Sequence, residues 1–352
     1  DEGFDVVLVS PPGEYVKLMQ GAGFRWIPWR LDQHGINPWR ELRSLLDLIC
    51  IYRLESPDLV HHHTIKAVLY GSWAASRVGI FNIINSIAGR GFVLAGTALK
   101  ARILRKLIYP FYRFALYKRT SAVIFENQND RQFYLDAGFI DLERTQLIKS
   151  VGVDPERFSP SPEPQPPLLV LMAARILWDK GIGIFVEAAR ILHANHLIRM
   201  VLVGMPNPTN PDAVDQEVLQ SWHQEGIIEW WGWQGEMEKV YQQAHMVVLP
   251  SLYGEGVPTV LIEAAACGLP LIATDSPGCR SIVHHEINGI LIPPHDVPAL
   301  VQAVTRLSQD AQLRGKMGAA GRQMVLDRFT KKKINQRTVQ VYQHLLQSKK
   351  LE

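Results

Sequence analysis

Cysteine is scarce in this chain: three residues in 352, Cys50, Cys267 and Cys279, an odd number without the short paired spacings of a zinc site or a disulfide framework. That excludes a disulfide-stapled scaffold and points to a reducing compartment. Long apolar runs are also missing. Nothing approaches the roughly 20 residues of a membrane-spanning helix, and the first residues are acidic rather than a basic lead into an apolar stretch. The formal net charge of +3 and pI near 8.7 give no general field for a polyanion. There is no tandem repeat and no Asp-x-Asp pair for a divalent cation. No strand leads into a Gly-x-Gly-x-x-Gly turn, which disfavours a dinucleotide oxidoreductase.

What is present is a chain with 47% hydrophobic and 20% charged residues, long enough to bury two cores rather than one. Short β-branched runs alternate with amphipathic segments throughout, the rhythm of parallel sheets with helical crossovers. Strands are predicted at residues 5–9, 25–27, 59–63, 80–86, 122–126 and 145–148 in the first half. The second half repeats the series at 168–173, 199–203, 227–230, 246–250, 271–274 and 289–292. Between them, residues 159–167 hold five prolines in nine positions, excluding helix and central strand alike. The expected domains are 1–158, then the 159–167 linker, then 168–330, with a final helix over 331–350 packing back toward the first domain.

Residues 250–268 are the most informative stretch. A buried strand ends at Pro250 and a loop carries Glu255, Gly256 and Val257. Pro258 and Thr259 then open a helix that Gly268 stops. The free backbone N–H groups at such a helix start suit an anion, a diphosphate above all. Glu255 before the helix and Glu263 within its second turn can each accept vicinal hydroxyls of a sugar or ribose. Directly after the first strand of the second domain come Arg175 and Lys180, two cations at the carboxyl end of a parallel strand, with Gly181 allowing close backbone approach.

Arg175 with Lys180, Glu255 and Glu263 separated by seven residues, Gly204 after a strand, and the stretch 275–280 together resemble glycosyltransferase family 4, over nearly the whole chain. The resemblance implies an α/β protein of the GT-B class, two facing Rossmann-like domains with parallel sheets and a cleft between them. It also implies transfer of a sugar from a nucleoside diphosphate with retention at the anomeric carbon. Carried over by position, Arg175 and Lys180 bind the diphosphate and act at the departing group. Glu255 holds the donor sugar and Glu263 the ribose, with Gly204, Gly256, Val257, Pro258 and Thr259 lining the donor site. The nucleobase is expected near Trp230, Trp231 and Trp233, and uridine diphosphate is the favoured nucleotide. The family's first strand, glycine-rich loop and helix are expected upstream of residue 1.

On the acceptor side the candidates are His63, Arg90 and Asn127, with Arg280 a further residue near the cleft. The run His61-His62-His63 is not read as a metal site, because neighbours on a strand point to opposite faces. Ala88 stands where many relatives carry a histidine, so base catalysis falls to the departing phosphate. Between residues 97 and 121 lie Lys100, Arg102, Arg105, Lys106, Arg113, Lys118 and Arg119, with apolar residues interleaved and no acid. That pattern suits either an anionic membrane surface or a solvated basic face over a packed apolar one.

The expected activity is metal-independent and cofactor-free. A hexose, glucose or galactose first, passes from a UDP-sugar to a sugar or lipid-linked acceptor in bacterial polysaccharide assembly. The protein is then cytoplasmic, peripheral at the inner face of the plasma membrane, and without a nucleic-acid partner. A UDP-sugar epimerase of the same fold and a catalytically silent nucleotide-sugar-binding subunit are the alternatives.

Overall fold

The computed structural model describes all residues except 1, 14, 33–36, 88–108, 119, 195–196, 209, 253–255 and 349–352. It divides into two units, Asp1–Ile148 with Arg337–Glu352, and Lys149–Gln336.

The first unit begins with a two-stranded parallel sheet, β1 (Val7–Ser10) and β2 (Arg25–Pro28), connected through helix α1 (Val16–Gly21). Helix α2 (Pro38–Glu55) starts as its sequence dictates. Asn37 caps it by accepting from the N–H groups of Trp39 and Arg40, with proline in the first turn. Four further strands, β3 (Leu59–His63), β4 (Asn82–Ile87), β5 (Ala122–Phe125) and β6 (Thr145–Leu147), form a parallel sheet in that order. Helix α3 (Ile65–Val78) links β3 to β4, and α4 (Gln128–Asp136) links β5 to β6.

A polar network ties β3 and β4 to the helices behind them. His62 Nε2 lies 2.8 Å from the Tyr52 hydroxyl and its Nδ1 2.8 Å from Asn85 Oδ1. The Asn85 amide donates in turn to Ser72 at 3.0 Å and Thr120 at 2.6 Å, and Thr120 to the Ala115 carbonyl at 2.8 Å. Burial pushes the His62 imidazole down to about 4, leaving it neutral at ordinary pH. Gly71 makes room for that ring: a Cβ there would stand 2.3 Å from Nε2.

The second unit is a six-stranded parallel sheet. Its strands are β7 (Leu168–Ala173), β8 (Ile198–Val203), β9 (Glu229–Trp230), β10 (Met246–Leu249), β11 (Leu271–Thr274) and β12 (Gly289–Ile292), in the order β12-β11-β10-β7-β8-β9. β7, β10 and β11 are buried along their whole length, as expected for strands covered on both faces. One face carries α5 (Ile182–Leu192), α6 (Gln216–Gln224) and, beyond them in sequence, α9 (Val297–Gln309). The other packs α7 (Met237–Tyr241), α8 (Thr259–Ala266) and α10 (Ala311–Arg328).

The division between units falls at residue 148 rather than 158. Residues after 148 belong with the second unit because Val153 N–H donates to Phe329 and the Val153 carbonyl accepts from Lys331, both at 2.8 Å, while Phe158 is buried in its core. The proline-rich stretch is likewise fixed to that unit. His245 Nδ1 accepts from Leu169 N–H, so its Nε2 donates to the Pro164 carbonyl at 3.0 Å, and Glu163 pairs with Arg314. Helix α11 (Lys331–Ser348) starts in the second unit and ends in the first.

Candidate functional site

In the second sheet, β7 leads outward to β8 and β9 on one side and is followed by β10, β11 and β12 on the other. The order therefore reverses between β7 and β10, and loops leaving the carboxyl ends of those strands diverge around a crevice. The β7 loop carries Arg175 and Lys180. The β10 loop leads through Ser251 and Gly256 to α8.

Two glycines set the spacing of these loops. Gly181, at φ +80°, lies so close to the β10 loop that a Cβ would stand 2.0 Å from the Pro250 carbonyl oxygen. Gly204, at φ +143° after β8, would place a Cβ 2.1 Å from the Ala174 carbonyl. Both are positions that only glycine fills without moving backbone. Hydrogen bonds complete the bracing: Leu252 N–H to the Asp179 carbonyl at 2.8 Å, Trp178 N–H to Asp212 at 2.9 Å, and Gly204 N–H to Gly232 at 2.8 Å. The close approaches of Gly181 and Gly204 are thus to protein backbone, and they shape the site from behind.

Arg175 is exposed, and its guanidinium has no partner among the described residues. Lys180 is half-buried in the 3-10 turn before Gly181. Pro258 is the N-cap of α8, no side chain caps the first turn, and Thr259 is exposed there, so the open amides of the helix start are available to an anion. Gly256 is half-buried and Val257 is part of the core beneath. Glu255 lies outside the described residues. Gly268, at φ +75°, follows the helix as its stop.

Glu263 sits half-buried on α8, where Oε2 accepts the Tyr241 hydroxyl at 3.0 Å. Oε1 keeps no protein partner among the described residues. Burial raises its pKa, against the Tyr241 hydrogen bond and the charge of Arg157. Arg157 itself grips Glu238 through Nε at 3.0 Å and Nη2 at 2.8 Å. The result is a carboxylate held by one oxygen and open at the other, suited to a hydroxyl donor.

Two family models match this chain. One, described as glycosyl transferases group 1, matches residues 153–324. The other, glycosyl transferase 4-like, matches residues 1–127. The chain belongs to the family-4-like glycosyltransferases. Along 363 aligned residues the glycosyltransferase is 25% identical to the N,N'-diacetylbacillosaminyl-diphospho-undecaprenol alpha-1,3-N-acetylgalactosaminyltransferase of Campylobacter jejuni, covering 99% of this chain and 93% of the relative. It is also 25% identical to the UDP-Gal:alpha-D-GlcNAc-diphosphoundecaprenol alpha-1,3-galactosyltransferase of Escherichia coli, covering 79% and 73%. Among solved structures it resembles Anabaena HepE in complex with UDP and glucose, with a TM-score of 0.77 at 18% identity over 96% of this chain and 91% of that one. A glycosyltransferase from Rickettsia africae gives 0.76 at 18%, over 97% and 90%. The fold is GT-B, built from two Rossmann-like units with parallel sheets.

The remaining sequence candidates of the glycosyltransferase fall in several places. Trp230 and Trp231 are half-buried with their indole N–H groups engaged, to the Gly204 carbonyl at 2.9 Å and to Glu229 at 3.2 Å. Trp233 is 68% exposed and Met205, on the adjoining β8 loop, 47%. Arg280 is taken up in a two-pronged pair with Asp275. Asn127 is buried and caps α4: Oδ1 accepts from Asp130 N–H at 2.8 Å and its amide donates to the Asp130 carboxylate. Both ends of its amide are thus engaged by the start of α4. Arg90 and Ala88 lie outside the described residues. His63 is exposed at the carboxyl end of β3.

Sequence reasoning missed Tyr241, which orients Glu263, and the Asp212 segment that braces the β7 loop. Neither carries a motif, since each acts on a residue more than 20 positions away.

Proposed function

We propose that the enzyme transfers a hexose, glucose or galactose first, from a uridine diphosphate donor to a sugar or lipid-linked acceptor in bacterial polysaccharide assembly, with retention at the anomeric carbon. The observation that carries this reading is the switch-point crevice of the second unit. Arg175 and Lys180 leave β7 there and the uncapped α8 follows β10; Gly181 and Gly204 pack the β7 loop against Pro250 and Ala174, and Glu263 on α8 keeps one carboxylate oxygen open. Cations and helix amides suit a diphosphate, Glu263 Oε1 suits ribose hydroxyls, and the exposed Trp233 and Met205 offer apolar surface to a base. Two cations on the departing diphosphate do the work of a metal ion, so the reaction is metal-independent. The names of the Campylobacter and Escherichia relatives, which carry diphospho-undecaprenol sugars, support a lipid-linked acceptor.

Calorimetric titration with UDP, with and without magnesium, tests the donor half. Micromolar affinity that ignores magnesium is expected, with weaker binding of ADP and GDP. Absent UDP binding, or a strict requirement for magnesium, overturns the reading.

A lipid-linked acceptor supports a reading in which the enzyme works at the inner face of the plasma membrane. Trp73 on α3, Phe111 and Tyr117 are exposed. Trp73 packs 4.5 Å from Phe114 and 6.4 Å from Phe111, and Arg113 lies 6.0 Å from the centre of the Tyr117 ring. Aromatic rings interleaved with cations suit the headgroup region of an anionic bilayer. In flotation assays the enzyme is expected to rise with phosphatidylglycerol-containing vesicles, not with pure phosphatidylcholine. Replacing Trp73 and Phe111 together by serine is expected to abolish that. Equal behaviour with both vesicle types removes the membrane from the reading.

A further inference from the structure

Four side chains meet at the carboxyl ends of β3 and β4 in the first unit, and the donor site uses none of them. His61 Nδ1 lies 2.6 Å from the Tyr342 hydroxyl and its Nε2 lies 2.6 Å from Ser86 Oγ. The exposed His63 ring stands 4.2 Å away, centroid to centroid. Phe4 packs against Tyr342, edge to face at 5.7 Å.

Burial, with two neighbouring imidazoles, pushes His61 down to about 3, so the ring is neutral and has one donor and one acceptor nitrogen. The two hydroxyls compete for the acceptor. The phenol is the more acidic and so the better donor: Tyr342 donates to Nδ1, and Nε2–H donates to Ser86 Oγ. That tautomer leaves the Ser86 proton directed away from His61, on a half-buried residue at the strand end.

Contrast with the adjacent network separates this from ordinary core bonding. His62, one residue along, is engaged at both nitrogens by buried partners. The His61 set ends instead in an unspent hydroxyl proton beside an exposed imidazole. The turn that follows is strained as well. Thr64, β-branched, sits at φ +74° and ψ 154°, a region that only glycine visits freely and that persists where surroundings impose it. Carboxyl ends of parallel strands are where open α/β sheets take their ligands.

We propose that Ser86 is an acceptor-binding residue, whose hydroxyl donates to a sugar hydroxyl of the acceptor beside His63, and that His61 and Tyr342 are positioning residues that aim it. The proposal rests on the glycosyl-transfer reading above and names where the acceptor sugar is held. A neutral imidazole here orients a hydroxyl and takes up no proton, which leaves base catalysis to the departing phosphate.

The test is an NMR titration of the full chain with N-acetylglucosamine 1-phosphate as an acceptor fragment, following the ring nitrogens of His61 and His63, with a parallel titration by UDP. The His61 and His63 nitrogens of the unmutated chain are expected to respond to the fragment. Ser86→Ala is expected to weaken the fragment about three- to tenfold, the worth of one hydrogen bond, and to leave UDP affinity unchanged. Ser86→Thr, which keeps the hydroxyl, should restore it. Tyr342→Phe should weaken the fragment although Ser86 remains, because nothing then holds the His61 proton on Nε2, and the Nδ1 signal should shift as the hydrogen bond it accepts is lost, a signature that a packing role would not give. Unchanged fragment affinity in Ser86→Ala, or silence of both imidazoles in the unmutated chain, overturns the proposal. Lost UDP binding with an intact fragment response counts against the donor reading alone.

Discussion

Replacing Arg175 by alanine is expected to lower kcat/KM about 100- to 1000-fold, the range seen when one fixed donor to a developing anion is removed. The side chain is exposed and has no partner among the described residues, so its loss uncovers no buried charge and leaves no cavity. The melting temperature is therefore expected to stay within a degree or two. Arg175→Lys keeps the charge and discards the planar fork, and should recover about a tenth of the activity. Steady-state kinetics with UDP-glucose or UDP-galactose decides the matter: a fall smaller than threefold in Arg175→Ala would remove this residue from the diphosphate site.

The second large effect is structural, and it comes from a hydrogen atom. At Gly181 an added methyl would stand 2.0 Å from the Pro250 carbonyl oxygen, in a backbone conformation of φ +80°. Left-handed backbone alone costs an alanine about 1–2 kcal/mol. The contact adds the displacement of one site loop from the other, for a total of roughly 2–5 kcal/mol. Gly181→Ala should thus melt about 5–10 °C lower and lose UDP affinity in step, because the β7 and β10 loops no longer share one spacing. Gly138→Ala is the control. Gly138 also has positive φ, +64°, but a Cβ there meets nothing within 4 Å, so only the conformational cost applies. Equal melting temperatures for the two variants would show that the Pro250 contact is easily relieved.

The strands of both halves were legible because buried parallel strands are written as short apolar runs, and β3, β7, β11 and β12 keep the bounds their sequences suggest. The loops after β7 and β10, proposed to hold the donor, were legible as strand-to-helix turns for a related reason. A strand end, a glycine and a proline in sequence mark where a helix must start, as at Pro250, Gly256 and Pro258. What sequence did not reveal is contact at a distance. The sequence suggested a close backbone approach at Gly181 without saying to what, and the approach is to Pro250. Asn127 carried no mark distinguishing a helix cap from a sugar contact until Asp130 N–H was placed against it. The domain boundary was drawn at the prolines because they stop regular structure. They stop it without freeing the chain, since His245 and Arg314 hold that stretch down.

The buried Tyr52–His62–Asn85 network fixes which residue of β3 faces which residue of β4. His62 stands opposite Asn85 in the ladder. A slip of one position would turn the imidazole to the other face of the sheet. Asn85 Oδ1 and the Tyr52 hydroxyl would then be left in the core without their His62 partner, each at about 1–3 kcal/mol. Apolar side chains in the same places would tolerate that slip at far smaller cost, because one aliphatic contact replaces another. The polar residues thus give the first unit a single strand alignment by making the wrong ones expensive, and the placement of His61 and His63 on the opposite face follows from that alignment.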